Sequence, residues 1–467
     1  MNEPFLDTWI TRVMGLSSSS PAARLKAFER RQLDALNHII IHARNHSRFY
    51  RKALSGISDI PLGDLKDMAA LPFTRPADIQ ENPKAFLALS QGEISRIVTL
   101  NTSGTTSDPK RIFFTDEDLG RVVDFFTAVL TAIMNPGETG LIFLPGDTRT
   151  GAGDLIRTAM EAAQASPVVS GIIRDFRPAA DLVWSTRPSL LIGMPVQILA
   201  LGEYMKSKGT LPRIAHVILT ADHVPAPLVD RVEDLLGARV LNHYGMTEIG
   251  FGGAIQCPAR GHMHPRHPDL FFEIVDPAGH PLPAGQWGEV VITTLNRRGM
   301  PLIRYRTGDL SRMIDAPCAC GSPFPRLDRV RNRQGATAHT PGRHGLTMAD
   351  LDDLLFSLPG VVDFTACIQS KTDAGQAIIP TLDIEIMGLG PRTQRIHIDP
   401  GASPGLTMVL ESGRLRMGSI TVRPFDFSNT YVTKRQIQFN SHGFNSHGQT
   451  GSGNTEVQPT TTEKRFV

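Results

Sequence analysis

The rhythm of apolar and polar positions changes several times along the chain. From Pro21 to about Gly56, in "AARLKAFERRQLDALNHIIIHARNHSRFYRKAL", Leu33, Leu36, Ile39, Ile40 and Ala43 recur at spacings of three and four, which predicts one amphipathic helix. Between residues 97 and 310 short apolar runs ("RIVTL", "GLIFLP", "PVVSGII", "SLLIGMP", "HVILT", "RVLNHYG") alternate with helical stretches such as "DLGRVVDFFTAVLTAIM" and "PAPLVDRVEDLLG". Such alternation predicts α/β layers around a mostly parallel sheet. After Phe271 the pattern becomes strand, turn, strand, "FFEIVDPAGHPLPAGQWGEVVITTL", with Pro and Gly turn chemistry in the middle, and predicts a β-rich subdomain. Past "PRLDRVRNR" a helix in "TMADLDDLLFSLPG" and strands at "VVDFTACI", "TLDIEIM" and "SITVRPFDF" predict a small α+β C-terminal domain. The boundaries expected are 1–333, 334–440 and a polar, Gly-rich tail at 441–467, which overlaps a duplicated "FNSHG" and reads as disordered.

Composition narrows the functions open to such a chain. With 467 residues it has ample length for two or three domains. The balance of 48 Lys+Arg against 46 Asp+Glu offers no broad basic field, so a nucleic-acid or membrane-surface partner is not expected and a small ligand is. The start, "MNEPFLDTWITRVMGLSSSS", has no basic segment followed by an apolar one, and no run approaches the ~20 apolar residues of a membrane span, so a cytoplasmic location is expected.

Three segments carry candidate chemistry. In "NTSGTTSDPK", residues 101–110, a glycine turn with the hydroxyls and N–H groups of Ser103, Thr105, Thr106 and Ser107 can surround a phosphate, with Lys110 as a mobile cation. Taken alone, a polar turn between strands explains it equally well. In "NHYGMTEIG", residues 242–250, Glu248 can hold magnesium, Thr247 can bond a phosphate and Tyr244 can stack on a flat group. In "PLIRYRTGDL", residues 301–310, Asp309 after a glycine turn can accept hydrogen bonds from ribose hydroxyls.

Four cysteines are too few for a disulfide framework, and two of them stand together in "PCACG". Cys257, Cys318 and Cys320, with His262 or His264 as the fourth ligand, fit a tetrahedral Cys3His structural zinc site. The histidines not used, His267 among them, are expected to face solvent.

In this order and spacing, the three segments resemble the adenylate-forming superfamily of acyl-CoA ligases, and within it the phenylacetate-CoA ligase-like branch. "HARNHSRFYRKAL", "MAALPFTRPADIQENP" and "MPLIRYRTGDLSR" extend the resemblance from about residue 25 to 333. It implies a large multi-subdomain, AMP-binding N-terminal domain followed by a small mobile one. It also implies a two-step reaction, in which an acid displaces pyrophosphate from ATP and the acyl-adenylate is then captured by coenzyme A. Carried over, Ser103, Gly104, Thr105, Thr106 and Lys110 hold phosphates, and Thr247 and Glu248 take the α-phosphate and magnesium. Asp309 takes the ribose, Tyr244 and Gly245 border adenine or acyl group, and Ala221 and Asp222 stand at the adenine segment. The zinc ligand aligned by the resemblance is His264, alongside the three cysteines. The acid expected is aromatic or otherwise small. A carrier-protein phosphopantetheine is the alternative acceptor, and a homodimer is compatible with the family.

The chain departs from the pattern at its C-terminal end. The family hinge "GRxDD" reads "RNRQGAT" here, keeping Arg333 and losing both acids. Where the family has its catalytic lysine, the best register places Val432, and Lys434 is the nearby candidate. These departures leave open an alternative reading, a nucleotide-binding protein with reduced ligase activity.

Overall fold

The computed structural model describes residues 4–16, 20–100, 109–146, 148–209, 211–333, 346–373, 376–377, 379–389, 398–428 and 437–442. The chain divides into two compact units, Met1–Gly335 with Asp426–Thr433, and Ala336–Phe425 with Lys434–Val467.

The first unit opens with α1 (Asp7–Met14) and α2 (Pro21–His46). Ser20 accepts a hydrogen bond from the Ala23 amide and Pro21 occupies the first turn, while Leu36, Ile39, Ile40 and Ala43 bury one face completely. The single helix expected to Gly56 is broken at Ser47, which takes an extended backbone (φ −87°, ψ 130°) and caps a separate short helix, α3 (Arg48–Ala53). The Ser47 hydroxyl also donates to the Ala85 carbonyl at 2.9 Å, so a tertiary contact fixes the break. A short helix, α4 (Pro76–Glu81), leads to the antiparallel hairpin β1 (Arg96–Leu100) and β2 (Lys110–Phe114).

The helix α5 (Asp116–Ile133) starts at a reciprocal cap between Thr115 and Asp118 and buries Leu119, Val122, Phe125, Phe126, Val129 and Leu130 at helical spacing. It leads into a nine-stranded sheet. Strands β3 (Thr139–Phe143), β4 (Ser166–Val169), β5 (Leu190–Gly193), β6 (His216–Leu219) and β7 (Arg239–Tyr244) are parallel, in spatial order β4-β3-β5-β6-β7. Their crossovers are α6 (Ala152–Ala162), α7 (Phe176–Thr186), α8 (Pro195–Lys208) and α9 (Ala226–Leu236). The β5 and β6 runs are almost wholly buried, as expected of strands covered on both faces.

Beyond β7 the pairing turns antiparallel through β8 (Ala254–Gln256) and β9 (Met263–Pro265), closing on the β13 (Met313–Ile314) and β14 (Arg326–Leu327) pair. A separate antiparallel sheet of β10 (Leu270–Val275), β11 (Gly288–Thr294), β12 (Tyr305–Ser311) and β15 (Arg331–Arg333) is the expected β-rich part. The α/β class and the alternation of elements are therefore as the hydrophobic pattern predicts.

In the second unit α10 (Met348–Leu355) is capped by Thr347 and Asp350. It accompanies β16 (Val361–Asp373), β17 (Gln376–Ala377), β18 (Thr381–Gly388), α11 (Pro404–Glu411), β19 (Arg416–Pro424) and β20 (Gln438–His442). Alternate residues of β16 and β18, including Phe364, Ala366, Ile368, Leu382, Ile384 and Ile386, form its buried face. Among the described residues no helix is long and apolar enough to cross a membrane.

Candidate active site

Tight turns at the carboxyl edge of the parallel sheet set the site residues. β7 ends at Tyr244, and a Cβ on Gly245 would lie 1.6 Å from the Phe251 carbonyl oxygen, so only glycine fits there. The chain then makes a one-turn 3-10 helix, Thr247–Ile249, and returns through Gly250 (φ 82°) and Phe251 (φ 66°). This buries Glu248 to 3 % exposure and leaves Thr247 half-buried beside it.

Three polar groups from distant segments meet at Glu248. Lys110, at the first residue of β2, forms a short ion pair with Glu248 Oε1. The Tyr305 phenol, from β12, donates to the same oxygen at 3.1 Å, and Lys110 Nζ also donates to Tyr305 at 3.2 Å. Behind them Arg297 is buried. It donates to the Glu248 carbonyl and, at 2.9 Å, to the Phe113 carbonyl, with its guanidinium 4.4 Å from the Phe114 ring centre. Arg297 thus clamps the hairpin strand to the Glu248 turn.

A bulge sets the second polar centre. Thr307, Gly308 and Asp309 stand opposite Val290, where the β11/β12 register shifts. Gly308 has φ 76°, its amide donates to Glu289 Oε1 at 3.1 Å, and Thr307 donates to the Val290 carbonyl at 2.7 Å. Asp309 is thereby presented in a buried position and accepts a 2.7 Å hydrogen bond from the Tyr244 phenol. Arg333 is the ladder partner of Asp309 in β15. Ala221, just past β6, has φ 71°, a left-handed conformation costing a non-glycine residue roughly 1–3 kcal/mol. Asp222 accepts from the His223 amide at 2.8 Å.

Of the residues expected from sequence, Lys110 pairs with Glu248 and Tyr244 with Asp309, and Thr247 and Gly245 belong to the turn that carries Glu248. Ser103, Gly104, Thr105, Thr106 and Lys434 lie outside the described residues. Sequence reasoning missed Tyr305 and Arg297 as contributors. Tyr305 stands inside the "YRTGDL" segment, but only the pairing of β12 shows that its phenol reaches Glu248.

Three cysteines and a histidine gather into a candidate metal site. Cys257 follows β8, His264 lies on β9, and Cys318 and Cys320 flank a knuckle closed by Gly321 (φ 94°), whose amide donates to the Cys318 carbonyl at 2.8 Å. The four candidate ligand atoms lie within 4.8 Å of one another. Cys257 and Cys318 sulfurs are 3.7 Å apart, and His264 Nε2 is 3.5 Å from Cys318 Sγ and 3.6 Å from Cys320 Sγ. A tetrahedral ion with bonds of about 2.3 Å to sulfur and about 2.0–2.1 Å to nitrogen requires edges of about 3.8 Å and about 3.5 Å, so the donor set fits zinc. His262 is half-exposed and pairs with Asp328 at 3.0 Å. His267 corrects the expectation of a solvent-facing ring. It is buried, its Nε2 lies 2.8 Å from the Pro325 carbonyl, and burial pushes its pKa down to about 4.

Residues 78–296 match the family model of the AMP-binding enzymes. The chain is 28 % identical over 323 residues to the phenylacetate-coenzyme A ligase of Thermus thermophilus, covering 67 % of this chain and 71 % of that protein. It is 29 % identical over 344 residues to the phenylacetate-coenzyme A ligase of Pseudomonas putida, covering 67 % and 72 %. In fold it is similar to 2-hydroxyisobutyryl-CoA ligase, with a TM-score of 0.74 over 89 % of each chain at 18 % identity. Residues 78–296 thus carry the pattern of an AMP-binding enzyme, and over two thirds of its length the chain is similar to phenylacetate-coenzyme A ligases. ATP-dependent activation of a carboxylic acid followed by thioester formation with coenzyme A is the activity that this similarity supports.

Proposed function

We propose that the unit containing Met1–Gly335 carries adenylation on the two polar centres, with an aromatic or small organic acid as substrate and magnesium as the metal. The observation that carries this reading is Glu248, a buried carboxylate already paired with an ammonium and accepting a hydrogen bond from a phenol. A buried anion needs such compensation, and a hard divalent cation with a nucleotide supplies it equally well. In this reading Lys110 turns from Glu248 to the outer phosphates of ATP, alongside Ser103, Gly104, Thr105 and Thr106. Thr247 bonds the α-phosphate, and Asp309 accepts the ribose hydroxyls. Ala221 and Asp222 line adenine with Tyr244 and Gly245.

A carboxylate oxygen attacks the α-phosphorus, the bond to the β-phosphate oxygen breaks, and pyrophosphate leaves. The thiol sulfur then attacks the acyl carbon, the bond to AMP breaks, and the thiol proton passes to solvent. Magnesium, when bound, offsets the charge that builds on the phosphates. Lys434 is the proposed second cation for the adenylation step, and Arg333 the pivot at the end of the unit. The Cys257, His264, Cys318 and Cys320 set is assigned to one structural zinc, which ties the β8–β9 hairpin to the Cys318–Cys320 knuckle. The cytoplasm is the compartment that supplies ATP, coenzyme A and reduced thiols together.

The test is incubation with ATP, magnesium and a panel of acids, with and without coenzyme A, read by pyrophosphate release and acyl-CoA mass. Acid-dependent pyrophosphate with acyl-CoA is the expected result. Pyrophosphate without acyl-CoA points to a carrier-protein acceptor, and no pyrophosphate with any acid rejects the reading.

A further inference from the structure

The imidazole of His243 is a polar group that the adenylation chemistry above does not use. It lies one residue before Tyr244 at the end of β7, and its Nδ1 is 2.7 Å from the hydroxyl of Thr220, the residue that follows β6. Both residues are therefore at the carboxyl edge of the parallel sheet, where ligands of such sheets bind. Both are also nearly inaccessible, and His243 Nε2 is buried with no hydrogen-bond partner among the described residues. An orphaned buried nitrogen is costly, and an aliphatic residue would fill the place without that cost. The surroundings are apolar. The Phe126 ring is 5.3 Å away, Phe126 packs on Phe125, and a Cβ on Gly245 would lie 2.8 Å from His243 Cε1, so only a glycine there admits the ring beside the turn. Burial holds the ring neutral, with its pKa pushed down to about 3.

We propose that His243, oriented by Thr220, reads a hydroxyl group on the acyl part of the acid, so that the substrates are hydroxy acids. This rests on the adenylation reading. The hydroxyl follows from the two arrangements of the Thr220 bond. If Nδ1 donates to Thr220, Nε2 is an acceptor, and if Thr220 donates to Nδ1, Nε2 carries the proton. A hydroxyl satisfies either one, whereas an ether or a halogen satisfies at most one. Thr220 is then a positioning residue, and His243 the group that touches substrate.

Matched pairs test this: phenylacetate with its three ring-hydroxylated forms, benzoate with the hydroxybenzoates, and isobutyrate with 2-hydroxyisobutyrate. The readout is kcat/KM from ATP–pyrophosphate exchange. In the wild-type protein at least one hydroxy acid is expected to exceed its parent tenfold or more. In His243→Leu that ratio falls towards one, chiefly through KM. Thr220→Val lowers the ratio in the same direction and Thr220→Ser restores it, which guards against a variant that merely misfolds. A wild-type protein that turns over acids but prefers no hydroxylated member overturns the inference alone, as does a ratio unchanged in His243→Leu and Thr220→Val. A wild-type protein inert to every acid overturns the adenylation reading and this inference with it.

Discussion

The phenol of Tyr244 donates a 2.7 Å hydrogen bond to Oδ2 of Asp309, joining two segments 65 residues apart. The bond holds in place a buried carboxylate, the one proposed above to accept the ribose hydroxyls. Asp309→Asn should lower kcat/KM for ATP roughly ten- to a hundredfold, the loss expected when charge-assisted bonds worth about 1.5–3 kcal/mol are weakened. Tyr244→Phe should have a smaller effect of the same sign. ATP–pyrophosphate exchange at varied ATP measures both, and unchanged ATP dependence in Asp309→Asn would remove the ribose role.

Lys110 and Glu248 are expected to be coupled. Lys110→Met leaves Glu248 buried and short of its cation, and breaking such pairs costs about 3–5 kcal/mol at full burial. The double variant Lys110→Met with Glu248→Gln should therefore unfold at a higher temperature than Lys110→Met alone, although both lack exchange activity. Thermal unfolding of the four proteins in the cycle gives the answer, and additive effects would deny the coupling.

Gly245 offers a sharper steric test. The alanine Cβ would meet the Phe251 carbonyl at 1.6 Å, so Gly245→Ala must displace the turn carrying Thr247 and Glu248. A fall of about a hundredfold or more in adenylation is expected, since small misplacements of reacting groups carry penalties of that size. A fully active Gly245→Ala protein would show the turn to be more compliant than its packing suggests.

Zinc should be present at one ion per chain and be lost in Cys318→Ser. The same variant should lose thermal stability, because a structural metal contributes directly to folding. Elemental analysis of the purified protein measures the first, and a metal-free, fully stable native protein would reject the assignment.

Acid should weaken the fold through its buried histidines. His243 and His267 are held neutral, at pKa values of about 3 and about 4 against an ordinary 6.5. Below 6.5 the unfolded chain takes up protons that the folded chain refuses. Stability therefore falls as pH drops from about 6.5 towards those values, by ~1.4 kcal/mol per unit for each ring. Urea unfolding between pH 7 and 5 should show this slope, flattened in His243→Leu.

Much of this protein is legible along the chain. Repeats of three and four, alternation of buried strands with helices, and the glycine at 245 are local properties, so the α/β class and the motif turns follow from neighbouring residues alone. The cysteine spacing marked the knuckle for the same reason, since a C-x-C pair beside glycine is a local turn. What the sequence could not determine depends on contacts between segments far apart. Ser47 interrupts a continuous helical pattern by bonding to Ala85, and His267 is buried against Pro325 although its own segment reads as polar. Tyr305 reaches Glu248 because β12 folds back beside the hairpin strand bearing Lys110, and His243 loses its solvent because Thr220 and Phe126 close on it. Periodicity reports which face of an element is apolar; only the packed tertiary structure decides which polar group is trapped there, and beside what.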